Sequence, residues 1–256
     1  MKTIDAVVLA GAPAGDFEDD VPLTSRAMAV LGSKTLLDLV LEPVSRNENI
    51  QRTCAVGHVV TDLPVEILEP EDTLVNNIRK ALSDFVSADY VLLCTSDIPL
   101  IDSDHVTDFI NQALETDADF VYPICRREVC DELYPQLQRT YVKIAEGEFT
   151  GGNIMLVKTD YFARLIPVIS RLYEFRKKPL KLARLMGFQI IVRLILSRIR
   201  SDFLDIGTIE KTASRILGGG VLRAVITPHP EICEDLDKKE ELAVFEAILN
   251  DKAENK

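Results

Sequence analysis

Ala6-Val7-Val8-Leu9-Ala10-Gly11-Ala12-Pro13-Ala14-Gly15 is the longest stretch of the chain without Asp, Glu, Lys or Arg. Its beginning completes an apolar strand that starts at Ile4, and the remainder is a loop of small residues. Such a loop leaving a parallel strand can turn backbone N–H groups toward phosphate, because glycine lets the chain approach without a Cβ clash. A tight turn at a sheet edge would look the same. The spacing matches neither a dinucleotide fingerprint nor a P-loop, so those two mechanisms are not supported. The stretch is also far short of the roughly 18 residues a membrane-spanning helix needs.

Outward from this strand, apolar runs of strand length at 4–9, 53–56, 65–68, 90–94, 120–124, 154–157 and 224–227 alternate with helix-period stretches. The helices are expected at 35–43, 72–86, 103–114, 160–173, within 180–200, and at 238–249. That alternation predicts an α/β sandwich around a mainly parallel sheet. Ser103 and Asp160 stand where N-caps are wanted. No repeat or proline-rich linker divides 1–256, so one domain is expected, with a basic helical insertion at 160–220 closed by Gly218-Gly219-Gly220.

With 47% of its 256 residues apolar or aromatic, 27% charged and a mean hydropathy of +0.09, the chain fits neither a disordered nor a fibrous class. The opening Met-Lys-Thr-Ile-Asp puts an acid where a secretory signal would be apolar, which predicts a cytoplasmic protein. Five cysteines without a Cys-x-x-Cys predict reduced thiols. A net charge of −12 argues against a nucleic-acid partner bound through phosphate neutralisation. The charge is uneven, however. Residues 171–200 hold nine basic side chains against Glu174 alone, net +8, and leave the remainder at −20. Such asymmetry marks a surface that meets something anionic.

Three further segments carry candidate chemistry. Tyr90-Val91-Leu92-Leu93-Cys94-Thr95-Ser96-Asp97-Ile98-Pro99 is a strand ending in an aspartate at the carboxyl edge, where ligands of open α/β sheets bind. Asp97 there suits a Mg²⁺ ligand, or a cap for the following helix. Thr150-Gly151-Gly152-Asn153 precedes a strand, its glycines permitting close approach and its amide both donating and accepting. Glu234-Asp235-Leu236-Asp237 follows the last strand and opens a helix, where acids also serve as caps matched to the helix dipole.

In this order the segments resemble the MobA-like nucleotidyltransferase family of the nucleotide-diphospho-sugar transferase superfamily, over roughly 1–160 and 220–245. Leu9-Ala10-Gly11 is similar to its opening Leu-Ala-Gly-Gly, and Ser96-Asp97-Ile98-Pro99-Leu100 to its Asp-x-Pro-Leu metal motif. Thr150-Gly151-Gly152-Asn153 resembles the acceptor segment, and Asp235-Leu236-Asp237 the second metal element. The segment from Arg26 to Leu37 resembles the family's lysine-containing segment, with Arg26 at the phosphate-binding lysine. Asn76 and Asn77 fall where the family contacts base or ribose. The resemblance implies a Rossmann-like three-layer α/β/α fold of the GT-A kind. It also implies a Mg²⁺-dependent reaction in which the phosphate of an acceptor attacks the α-phosphorus of an NTP and pyrophosphate leaves. Asp97 and Asp237, with Asp235, would hold the metal. Arg26 would steady the triphosphate, Leu9 to Gly15 and Ser96 would line the nucleotide, and Gly151, Gly152 and Asn153 would hold the acceptor.

The chain departs from the family in its loop, where Asp16, Glu18, Asp19 and Asp20 replace the usual basic residue. Anionic triphosphate is repelled by such a loop unless Mg²⁺ bridges, or Arg26 and Lys34 supply the missing charge. His58, His105 and His229 are expected to be incidental, since an acceptor phosphate needs no histidine base. Within 176–200 an apolar face (Leu185, Phe188, Ile191, Val192, Ile195, Leu196, Ile199) stands opposite Gln189, Arg193, Ser197 and Arg200. It fits a helix packed on the domain or in a homo-oligomer. It also fits a helix lying in an anionic membrane surface, with a lipid-linked phosphate as acceptor. Two other functions use the same residues: a GT-A glycosyltransferase taking a nucleotide-sugar, and a non-catalytic nucleotide-binding protein.

Overall fold

The computed structural model describes residues 2–17, 24–175, 197 and 200–254. Its main sheet runs β5 (Glu66–Leu68), β4 (Arg52–Val56), β1 (Ile4–Leu9), β6 (Tyr90–Thr95), β10 (Ile154–Lys158) and β7 (Phe120–Arg126). Beyond them, β9 (Gly147–Gly151) pairs with the end of β7 and with β8 (Val142–Ile144), while β11 (Leu222–Thr227) lies along the whole of β7. The β5–β4–β1–β6 block and the β7–β11 pair are parallel, and β10 runs antiparallel between β6 and β7. The sheet is therefore mixed and mostly parallel, as the spacing of apolar runs predicts.

Period-2 alternation on β1 divides the core into two layers. Ile4, Ala6 and Val8 pack with Leu37, Val40 and Leu41 of α1 (Leu36–Ser45) and with Val106, Phe109 and Ile110 of α3 (Ser103–Glu115). Val7 faces the other way, onto Val75, Ile78 and Ala81 of α2 (Leu74–Asp84) and Phe162, Leu165 and Ile166 of α5 (Thr159–Phe175). Full burial of side chains such as Phe109 and Phe162 is worth about 1.5–3 kcal/mol each. Helices thus cover both faces, the three-layer arrangement. α5, although part of 160–220, contributes to this core. A third apolar cluster, with Leu36, Leu100, Leu236 and Phe245, packs the C-terminal helix α7 (Leu242–Glu254) near the hairpin β2 (Val30–Leu31) and β3 (Lys34–Thr35).

Both expected caps change, since Asp160 lies inside the first turn of α5. Ser103 is the first helical residue of α3, not its cap: Asp102 is the N-cap, because its carboxylate accepts from the N–H of Asp104 and His105 while His105 Nδ1 accepts from the N–H of Asp102. α4 (Arg127–Leu133) and the β8–β9 hairpin are not predicted by the periodicity, and α6 (Ile206–Ile216) lies within the 160–220 stretch expected to be helical. The apolar and polar faces at 176–196 lie outside the described residues, as do the acids at 18–20. All five cysteines are free and buried. Among the described residues no helix is long and apolar enough to cross a membrane.

Candidate active site

Two segments far apart in sequence meet at the carboxyl ends of β1 and β6. The N–H of Leu236 donates to the carbonyl of Asp97 (2.8 Å), and that of Ser96 to the carbonyl of Leu9 (3.3 Å). Asp97 and Asp237 are thereby brought to one place. Arg26 lies between them: one arm of its guanidinium pairs closely with Asp97 Oδ2, and the other donates to Asp237 Oδ1 at 3.0 Å. Side-chain exposures of 20% for Arg26, 14% for Asp97 and 61% for Asp237 make the cluster a half-open ion-pair network rather than a buried one. The second oxygen of Asp97, Oδ1, is buried and has no hydrogen-bond partner among the described residues. A buried carboxylate oxygen left in that state is costly unless a ligand reaches it.

Arg26 is held by the loop after β1. Its N–H donates to the Ala12 carbonyl (3.0 Å), and the buried Ser25 hydroxyl lies 2.5 Å from the Ala10 carbonyl and 2.9 Å from that of Ala12. The same oxygen caps the turn at Arg26–Met28 by accepting from the Ala27 N–H. Ser25 therefore ties the loop to the arginine, a role the sequence reading missed. Gly15 adopts φ +57°, a left-handed conformation that favours glycine. Among the described residues, the N–H groups of Gly11, Ala12, Ala14 and Gly15 have no hydrogen-bond acceptor. They are available to an anion.

The other expected residues separate. Asn77 is buried beside Gly11, where a Cβ would come within 2.8 Å of its Nδ2, and its Oδ1 accepts from the Glu71 N–H at 2.6 Å. Asn76 instead accepts from Arg79 on the outer side of α2. Lys34 pairs closely with Glu42 and lines a cleft of about 520 Å³ together with Pro99, Leu100 and Asp102. Gly152 packs under Pro123 and Ile232, and the Asn153 N–H donates to the Ile232 carbonyl at 2.9 Å. This pins the strand carrying the acceptor motif to the loop that leads to Asp237.

Asp235 has another partner. It pairs closely with Arg139, which also donates to Glu234 Oε2 at 2.5 Å. Arg139 was not expected from the sequence; no motif spacing marks it. Burial first, then the charges of Asp237 and Asp97, pushes the Asp235 carboxyl upward against the pull of Arg139. Glu234, buried and with Oε1 unpartnered, is likewise raised by burial, against the same arginine.

Among the described residues, His105, His229 and Glu231 bring their ligand atoms within 4.8 Å of one another. Glu231 is already held by the Tyr134 hydroxyl (2.6 Å) and the Lys252 ammonium (3.0 Å), and His229 Nε2 by Asp108 (2.7 Å). His105 Nδ1 is the acceptor in the α3 cap, which puts the proton of the neutral ring on Nε2. That ring has no free lone pair for an ion, so the cluster acts as an anchor for the loop before Asp237.

A mostly parallel α/β sandwich with a glycine loop, Asp97 and Asp237 at one edge defines a nucleotidyltransferase-like protein of the nucleotide-diphospho-sugar transferase superfamily. The signature of the MobA-like NTP transferase domain matches residues 6–185, and the chain belongs to that family. No curated protein sequence matches the chain. A hypothetical transferase from Thermus thermophilus is similar over 94% of this chain and all of its own, with 33% identity and a TM-score of 0.82. Two more distant structures share the fold. A 2-C-methyl-D-erythritol 4-phosphate cytidylyltransferase, also from Thermus thermophilus, has 12% identity and a TM-score of 0.53, covering 98% of this chain and 100% of its own. A CMP:2-keto-3-deoxy-manno-octonic acid synthetase complexed with CTP has 11% identity and a TM-score of 0.60, covering 98% and 99%.

Proposed function

We propose that this protein is a Mg²⁺-dependent nucleotidyltransferase that joins an NTP to a phosphorylated acceptor and releases pyrophosphate. The observation that supports this best is Arg26 lying between Asp97 and Asp237, with Asp97 Oδ1 buried and unpartnered beside it. Hard carboxylate oxygens of this kind fit Mg²⁺. Asp97 and Asp237 would hold the ion, while Asp235 keeps its partner Arg139. When bound, Mg²⁺ neutralises charge on phosphate oxygens and so favours attack at phosphorus.

The remaining work falls to the chain itself. Backbone N–H groups of Gly11 to Gly15 offer fixed dipoles to the triphosphate, and Arg26 adds a cation where the acidic loop supplies none. Arg26, held between Asp97 and Asp237, would be free to reach the phosphates where those two aspartates held the ion. The planar fork of Arg26 then pairs with two phosphate oxygens, where lysine would make a point contact. Gly152 and Asn153 position the acceptor, whose phosphate is already ionised near neutrality. Orientation and charge supply most of the rate, with little covalent work for the protein.

Pyrophosphate release with each of the four NTPs across a panel of sugar-, cofactor- and lipid-phosphates, with and without Mg²⁺, tests this function. Metal-dependent release by wild type, reduced about 10³-fold in Asp97→Asn, is expected. NTP binding without turnover on any acceptor would identify a binding protein instead. Nucleoside diphosphate released from a nucleotide-sugar would identify a glycosyltransferase.

A further inference from the structure

An apolar cavity lies outside the cluster of Arg26, Asp97 and Asp237. It has a volume of about 370 Å³ and lies between the sheet and α6, lined among others by Tyr122, Ile144, Phe149, Ile209, Ala213 and Leu217. That volume is within the roughly 300–1,000 Å³ range of small-molecule sites, which are mainly apolar with a few polar groups. Two of its wall residues, Thr150 and Gly151, belong to the acceptor segment. At that boundary Gly151 leaves room for the Tyr122 ring, whose Cε1 would lie 2.9 Å from any added Cβ. The Tyr122 hydroxyl has no hydrogen-bond partner among the described residues.

α6 behaves unlike the other long helices that cover the sheet. α2, α3 and α5 each bury four or five residues, whereas α6, though amphipathic, buries none fully. Ile209 of its apolar side lines the cavity, as do Ala213 and Leu217, which also pack against the core beside Leu222. The helix is anchored from its polar side: Glu210 accepts from the Ala224 N–H at 2.8 Å and pairs with Arg223 at 3.2 Å. No charge in the wall is left free to demand water.

We infer that this cavity takes the hydrocarbon chain of the acceptor, so that the substrate is an alkyl or prenyl phosphate whose head group lies at the edge of the cavity, beside Thr150 and Gly151. The inference rests on the nucleotidyltransferase function and narrows it to one acceptor class. The presence of Thr150 and Gly151 of the acceptor segment in its wall favours this occupant.

The test uses n-alkyl monophosphates of four to ten carbons, below their micelle concentrations, titrated into the full chain without nucleotide. Inorganic phosphate serves as the zero-length reference. Affinity should rise about fourfold per methylene until the cavity is full. Intermolecular methyl NOEs should connect the chain to Ile144 and Ile209. Ala213→Phe should abolish the length dependence and leave NTP binding unchanged. Affinity that is independent of chain length overturns the inference, as do NOEs from Ile144 and Ile209 to residues 176–196 in the ligand-free protein, which would assign the cavity to that segment. Length-independent pyrophosphate release with short acceptors would sink the cavity inference and leave the transferase standing. Length-dependent binding with no release on any chain would sink both, since the cavity would then serve no acceptor.

Discussion

Two arginines meet the same short loop, and their surroundings divide its acids into two kinds. Arg139, 11% exposed, pairs with Glu234 and Asp235, the former 1% exposed at its side chain. Arg26 pairs with Asp97 and Asp237 at a half-open edge, where Asp97 Oδ1 lacks a partner. The first cluster is closed and fastens the loop to the strand side of the molecule. The second is open to a ligand. Motif spacing alone groups Asp235 with Asp237 as metal ligands, whereas the two side chains have different partners.

The largest expected difference between the clusters is in what their loss affects. Asp97→Asn should remove about 10³-fold of turnover with little change in melting temperature, because in the proposed function its cluster would stabilise reaction charge rather than the fold. Arg139→Met should do the reverse: leaving Glu234 and Asp235 buried without a cation costs about 3 kcal/mol. Thermal melts and pyrophosphate release, measured side by side on both variants, check the pair. Equal losses of stability would erase the distinction.

A smaller effect concerns the anchor upstream of the same loop. Burial holds the His105 pKa below its ordinary 6.5, against the opposing charges of Glu231 and Asp102, with His229 and Lys252 adding to the lowering. The unfolded chain therefore takes up a proton that the folded chain refuses, so stability falls as pH drops below about 6.5. Protonation would also end the acceptor role of Nδ1 in the α3 cap. Urea melts from pH 7.5 to 5.5 should show this slope in wild type and a shallower one in His105→Asn. An unchanged slope would release His105 from this role.

The fold was legible because β1, β6, β7 and β10 are apolar runs of strand length and their helices keep a 3.6-residue period. The hairpin β8–β9 was not, since Val142 to Gly151 mixes Lys143, Glu146 and Glu148 with few apolar residues and reads as loop. The site was legible where chemistry and position coincide, as at Asp97 after an apolar strand. Arg139 and Ser25 were not: each acts through contacts distant in sequence or through backbone carbonyls, and neither leaves a spacing to detect. Lys34, expected with Arg26 to supply charge to the triphosphate, pairs with Glu42 of α1.

In the proposed function Asp97 and Asp237 act together on one cation beside a nucleotide. Calorimetric titration of each NTP into wild type, Asp97→Asn and Asp237→Asn, with and without Mg²⁺, tests it most directly. At least one NTP should bind wild type more tightly with Mg²⁺, and both variants should lose that gain while retaining metal-free binding. A Mg²⁺ gain that survives in either variant, or no NTP binding by wild type, would contradict it.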